Sequence, residues 1–132
     1  MGSVLTKTLR HIVVGVDDDF RVRESMERLM ESAGYSPLVF ASAEEFLQSG
    51  TLAEAACLIT DVRMPGIDGL ELQRRIRLAR PQFPVIFLTA HYDEDTRRQA
   101  LRGGAVDFMY KPFDTSALLS AIERAVNGSQ SK

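Results

Sequence analysis

Five short apolar runs recur along the chain, at residues 11–16, 38–40, 57–60, 85–88 and 105–110. Each stops at small or polar residues, and a stretch with helical spacing follows. This alternation constrains the fold more than any other feature. Strands separated by helical crossovers return in the same direction, so they build a parallel sheet with right-handed connections and helices on both faces.

The helical stretches carry their own punctuation. Asp18 or Asp19 is placed to cap the first, in which Val22, Met26, Leu29, Met30 and Ala33 share one face and which Gly34 closes. Ser42-Ala43-Glu44-Glu45 matches a capping box, with Phe46 and Leu47 predicted on the buried face of a short helix that Gly50 ends. The third helix is predicted over residues 69–79, burying Leu72, Ile76 and Ala79 and exposing Arg74, Arg75 and Arg77. Asp93, Glu94 and Asp95 open the fourth, which is short of large apolar residues and should dock least firmly. Asp114 or Thr115 caps the fifth, with Leu118, Ile122, Ala125 and Val126 on one face. Gly15 is the oddity of the first strand, where it either weakens the strand or admits a close neighbour. We expect an α/β protein, a (βα)5 flavodoxin-like doubly wound parallel sheet of strand order 2-1-3-4-5.

That order sets strands one and three side by side, and open α/β sheets place ligand sites at strand carboxyl ends. Three polar groups of residues fall there. The third run stops at Asp61, and Pro65, Gly66 and Gly69 then force a loop. Val16-Asp17-Asp18-Asp19 follows the first run, and Tyr110-Lys111-Pro112-Phe113 follows the fifth. The fourth run ends at Thr89, so the fold should gather Asp61, the Asp17/Asp18 pair, Thr89 and Lys111.

Composition sets the outer bounds. A chain of 132 residues with 45% hydrophobic and 26% charged content has the make-up of one ordinary globular domain. Its body is expected over residues 11–127, between flexible tails at 1–10 and 128–132. A net charge of -2 gives no reason to expect nucleic-acid binding, and no apolar run approaches the length of a membrane span or signal segment. Arg74, Arg75, Arg77, Arg97 and Arg98 read as solvated faces. The single cysteine, Cys57, lies in a core-strand pattern, which fits a buried thiol in a reducing cytoplasm.

Three carboxylates in one cleft repel each other unless a cation is present. With oxygen donors and no His/Cys cluster, the cation of choice is Mg²⁺. A carboxylate can itself attack phosphorus to form an acyl phosphate, a transfer that depends on positioning and charge neutralisation. Lys111 is marked out for the second task. The chain has thirteen arginines but three lysines, and Lys7 and Lys132 lie in the tails. Lys111 is thus the one lysine of the expected body, a compact charge where the surface elsewhere uses guanidinium.

Taken together, Asp17-Asp18-Asp19, the Asp61 to Gly69 loop, Leu88-Thr89-Ala90 and Lys111-Pro112-Phe113 resemble a two-component response-regulator receiver (CheY-like) domain. The likeness runs from about His11 to Val126, and the D-x-R-M-P loop, Gly-Ala-Val-Asp-Phe and Lys-Pro-Phe are most similar to the FixJ subgroup. The resemblance implies that Asp61 accepts a phosphoryl group from a histidine on a sensor histidine kinase or phosphotransfer protein. It implies Mg²⁺ held by Asp17, Asp18, Asp61 and the Arg63 main-chain carbonyl, and phosphoryl oxygens bound by Thr89 and Lys111. It further implies a switch in which Thr89 moves toward the phosphate and Phe108 turns inward, and a cis Lys111–Pro112 bond. The face of the fourth helix, fifth strand and fifth helix is then remodelled. The weakly apolar fourth helix beside Phe108 adds the expectation of phosphorylation-dependent homodimerisation on the fourth-helix/fifth-strand face. Such a domain is a signalling phospho-acceptor rather than an enzyme acting on other substrates. It sits in the cytoplasm and itself binds neither nucleic acid nor membrane. Arg63 and His91 stand at positions that tune phosphoryl lifetime in that family. The family's common DNA-binding output domain is absent from these residues, which suits either a single-domain regulator or the receiver of a longer one.

Other classes fit less well. A haloacid-dehalogenase-type phosphatase wants Asp-x-Asp-x-Thr/Val, and Asp17-Asp18-Asp19-Phe20-Arg21 fails at Arg21. A flavin module would need small hydroxyl residues after strand one, where three aspartates would repel phosphate. A phosphate-independent interaction module keeps the fold but gives no use to the acidic pocket, Thr89 and Lys111.

Overall fold

The structure, a computed structural model, describes residues 10–130. Five strands, β1 (Ile12–Val16), β2 (Ser36–Phe40), β3 (Ala55–Thr60), β4 (Val85–Thr89) and β5 (Asp107–Tyr110), alternate with five α-helices. These are α1 (Phe20–Ser32), α2 (Ala43–Ser49), α3 (Gly69–Ala79), α4 (Glu94–Arg102) and α5 (Thr115–Gln130), with a 3₁₀ turn at Thr51–Ala53 before β3. The strands lie in the order β2-β1-β3-β4-β5 and every pairing is parallel, as the alternation predicts.

Period-two alternation splits the interior into two cores. Val14, Val16, Leu58 and Phe87 face α2 and α3, where they meet Phe46, Leu72 and Ile76. Val13, Cys57, Ile59, Ile86 and Leu88 face the other way, onto Met26 and Met30 of α1 and Leu118 and Ile122 of α5. Covered on both faces, β4 is buried along its whole length, which is why its sequence is continuously apolar. Burial also pushes the Cys57 thiol up to about 12, so it stays protonated and behaves as a small hydrophobe. Pro37 lies within β2, an edge strand where a missing N–H is tolerated.

Gly15 admits a close neighbour: a β-carbon there would stand 2.9 Å from Met26 Cε and 3.3 Å from its sulfur. The glycine lets α1 settle directly onto β1. Asp19, not Asp18, caps α1, accepting from the Arg21 N–H at 2.8 Å. That leaves Asp18 exposed beside the strand ends. Ser42 caps α2 at the Glu45 N–H (3.1 Å), while the Glu45 carboxylate reaches back to the Ala41 N–H at 3.1 Å. Asp114 accepts from the Ala117 N–H at 2.9 Å at the start of α5.

Two helix readings need correction. Ala79 of α3 is exposed rather than buried, and Gln73 is buried in its place. The reason is α4: the Gln73 amide donates to the Ala100 carbonyl at 3.0 Å, so the inward stripe of α3 is Leu72, Gln73 and Ile76. The fifth helix continues to Gln130, into the stretch expected to be a tail. Apart from Arg10, the expected N-terminal tail lies outside the described residues. The thin docking of α4 is as expected, since Ala100 is its one buried residue. Among the described residues no helix is long and apolar enough to cross a membrane.

Candidate functional site

The carboxyl ends of β1, β3 and β5 bring one acidic cluster against one lysine. β1 and β3 are neighbours, and the Asp61 N–H bonds the Val16 carbonyl at 3.0 Å, which fixes Asp61 beside Asp17. Asp17 is 1% exposed and Asp61 7%. Lys111 reaches across from β5, its Nζ 2.8 Å from Asp17 Oδ2 and 2.9 Å from Asp61 Oδ2.

The remaining carboxylate oxygens are held by backbone. Asp17 Oδ1 accepts from the Asp19 N–H at 2.9 Å. Asp61 Oδ1 accepts from the Val62 N–H at 2.7 Å and, more weakly, from the Arg63 N–H at 3.4 Å. The Arg23 guanidinium braces the main chain by donating to the Asp17 carbonyl at 2.8 Å. This brace was not legible in the sequence, because Arg23 looks like any other helix-face arginine. Asp68, likewise unassigned in the sequence, caps α3 at the Glu71 N–H (2.9 Å), and the Gly69 N–H closes the loop onto the Val62 carbonyl at 2.8 Å.

Electrostatics follow from the packing. Burial lifts the Asp17 carboxyl above its usual range, even though the Lys111 hydrogen bond and charge pull the other way. Burial also works against the Lys111 ammonium, but its hydrogen bonds and charge contacts with Asp17 and Asp61 outweigh that cost and hold its pKa above the usual value. Carboxylate oxygens of Asp17, Asp18 and Asp61 lie within 4.8 Å of one another. Two of these residues are buried and Asp18 is exposed. An oxygen-only donor set with one open side fits a hard divalent cation that keeps part of its water shell.

The other predicted residues surround this cluster. Thr89 is buried at the end of β4 and paired in register with Tyr110, and its carbonyl accepts from the Lys111 N–H at 2.8 Å. Its hydroxyl is turned to the His91 N–H at 3.2 Å. The Lys111–Pro112 peptide bond is cis. Arg63 is exposed, and its N–H is turned to Asp61. Phe108 is buried on β5, its ring centroid 5.9 Å from that of Phe87 and 5.7 Å from that of Tyr110. The Tyr110 ring in turn stacks on the exposed Tyr92 at 5.5 Å, so an aromatic ladder runs from the core to the surface at the α4 end of β4 and β5.

The family model for the response regulator receiver domain matches residues 13–123. The chain belongs to this family. Among relatives of the receiver, the transcriptional regulatory protein FixJ of Bradyrhizobium diazoefficiens is 40% identical over 119 residues, covering 90% of this chain and 58% of that protein. The DNA-binding transcriptional regulator NtrC of Escherichia coli is 39% identical over 118 residues, covering 89% of this chain and 25% of that one. The receiver therefore spans only part of the length of these curated relatives. Among solved structures, a response regulator receiver domain protein from Clostridium thermocellum superposes with a TM-score of 0.86 at 29% identity, covering 91% of this chain and 97% of the other. The crystal structure of FixJ-N gives a TM-score of 0.78 at 35% identity, with 89% and 94% covered. The two-component receiver reading and the FixJ likeness both stand.

Proposed function

We propose that Asp61 is the phospho-acceptor of this receiver and that a sensor histidine kinase or phosphotransfer protein is its donor. The observation that carries this reading is the lysine seated between two buried carboxylates at a strand-end loop. A lysine so placed balances the two carboxylates as they stand and is within reach of further negative charge arriving on Asp61. In the transfer, an Asp61 carboxylate oxygen bonds to phosphorus as the phosphorus–nitrogen bond of the donor phosphohistidine breaks. The electron pair leaves with the imidazole, and an acyl phosphate remains on Asp61.

Asp17, Asp18, Asp61 and the Arg63 carbonyl would hold Mg²⁺, which would supply charge neutralisation at the phosphoryl oxygens. Lys111 is already placed to follow its partner: once Asp61 is phosphorylated, the ammonium passes to a phosphoryl oxygen while keeping Asp17. The Thr89 oxygen accepts from the His91 N–H and its own O–H is free to donate to the phosphoryl group, so a shift of Thr89 toward the phosphate pulls on the His91–Asp93 turn and α4. Phe108, packed beside that turn on Phe87 and Tyr110, is the second switch residue. The thinly held α4 is the element whose equilibrium the phosphate biases. On this reading the domain catalyses only its own phosphorylation and dephosphorylation. It works in the cytoplasm, where a sensor kinase delivers phosphate, and passes the signal to an output domain, a partner or a second copy.

The test is intact mass after incubation with acetyl phosphate and Mg²⁺. The expected result is one phosphoryl adduct that requires Mg²⁺ and is absent from Asp61→Asn. An adduct surviving in Asp61→Asn would assign the wrong aspartate. Folded wild-type protein that takes no phosphate from acetyl phosphate or a kinase would leave a phosphate-independent interaction module.

A further inference from the structure

The loop that follows Asp61 is held from outside by a residue with no part in the acidic cluster. Glu44, half-buried in the first turn of α2, accepts the Ile67 N–H on Oε2 at 3.0 Å, across 23 positions of sequence. Gly66 makes room for it. A β-carbon at Gly66 would collide with the Glu44 carboxylate, and the Gly66 φ of +77° is one that L side chains rarely adopt. The Ile67 N–H is also the main reason the Glu44 carboxyl lies below its usual range, with Arg75 adding a smaller pull. The ties on the loop include Asp61 Oδ1 at the Val62 and Arg63 N–H groups, the Gly69 N–H at the Val62 carbonyl, the buried Met64 side chain, and Glu44 at Ile67. Arg63, whose carbonyl faces the cation on the reading above, lies between the first and the last of these.

We propose that Glu44 is a positioning residue for the phosphorylation site, clamping the β3–α3 loop so that the Arg63 carbonyl is held ready for the cation. This assignment rests on the reading of Asp61 and its neighbours as the Mg²⁺ and phosphoryl site. The physical reason is preorganisation. A main-chain carbonyl ligates well only if its peptide plane is fixed before the ion arrives, and a loop free to rotate must be ordered at the expense of affinity. Glu44 supplies that order from a rigid helix start rather than from the loop itself.

The experiment compares the full chain with Glu44→Ala and Glu44→Gln. It measures Mg²⁺ affinity by titration calorimetry and exchange of the Ile67 amide by NMR. Glu44→Ala is expected to speed Ile67 exchange and weaken Mg²⁺ binding about tenfold, at the low end of the range for outer-shell partners of a metal site. Glu44→Gln keeps an amide oxygen that can accept from Ile67 and should restore both readouts. Wild-type Mg²⁺ affinity in Glu44→Ala, with a lowered melting temperature, would reduce Glu44 to a structural cap and overturn the proposal. Unchanged Ile67 exchange would overturn it as well. Wild-type protein that binds no Mg²⁺ would overturn both this proposal and the site reading beneath it, so the two failures are distinguishable.

Discussion

Lys111 is the residue on which the site's charge balance turns. Its side chain is 16% exposed and touches carboxylates that are 1% and 9% exposed, so it is the counter-charge that lets Asp17 and Asp61 share a wall. Removing it leaves two desolvated like charges facing each other, a much worse state than removing both partners of a surface pair. Lys111→Met is expected to destabilise the metal-free protein at neutral pH by about 3 kcal/mol, the lower end for a broken buried pair because the lysine keeps some water. Urea unfolding would measure the loss. Because burial already lifts the Asp17 carboxyl, the loss should shrink as pH falls and that carboxyl takes up its proton. An undiminished loss at low pH would show that the lysine acts through its alkyl chain and not its charge.

Among the elements, α3 and α4 are stabilised in different ways. α3 buries Leu72 and Ile76 and carries its own charge clip, in which Glu71 receives Arg74 at 2.7 Å and Arg75 at 2.8 Å. Hydrogen bonds from Arg74 and then Arg75 hold the Glu71 carboxyl at about 2. A carboxyl lowered on folding contributes stability above its ordinary pKa and loses that contribution as pH falls through its folded value. The melting-temperature gap between wild type and Glu71→Gln should therefore be widest above about pH 5 and close toward about pH 2. Added salt should narrow it, since the clip is on the surface. A gap independent of pH would mean that the glutamate acts as a helix former only. α4 has no comparable hold, with one buried residue and surface ion pairs of Arg97 and Arg98 to Glu94 and Asp95. Its amides should exchange fastest among the five helices, and phosphorylation should change them more than those of α3. Unchanged α4 exchange on phosphorylation would remove it from the switch.

At the scale of the whole molecule, the site is a product of strand order. Its carboxylates come from β1 and β3 and its ammonium from the end of β5, so the pocket exists only while the sheet is assembled. A ligand bound there binds the folded state alone and raises the global unfolding free energy by mass action. Mg²⁺ at about 100 times its Kd is expected to add about 2.7 kcal/mol, read as a rise in the midpoint of unfolding. Asp18→Asn should reduce that rise and leave the metal-free midpoint nearly unchanged, because Asp18 is exposed and Asp19 does the capping. An equal Mg²⁺-dependent rise in the Asp18→Asn protein would place the cation elsewhere.

The order of strands, the Ser42 cap, the acidic start of α4, the caps of α1 and α5 to within one residue, and the gathering of Asp17, Asp18, Asp61 and Lys111 were within reach of the sequence. The elements and caps follow from short-range rules, apolar periodicity and capping chemistry, while the place of β1 beside β3 comes from the flavodoxin-like strand order that such an alternation adopts. What the sequence could not decide depends on contacts between elements far apart in the chain. Gln73 turns inward and Ala79 outward because α4 offers the Ala100 carbonyl, a partner that no periodicity in α3 encodes. Gly15 leaves a weakened strand and a close neighbour equally open until Met26 is seen lying against it. Arg23 and Glu44 look like ordinary helix-surface charges until the fold brings the Asp17 carbonyl and the Ile67 N–H within their reach. Local rules specify which groups stand at the strand ends; only tertiary packing decides which distant groups hold them there, because a hydrogen bond across the fold leaves no period in the chain.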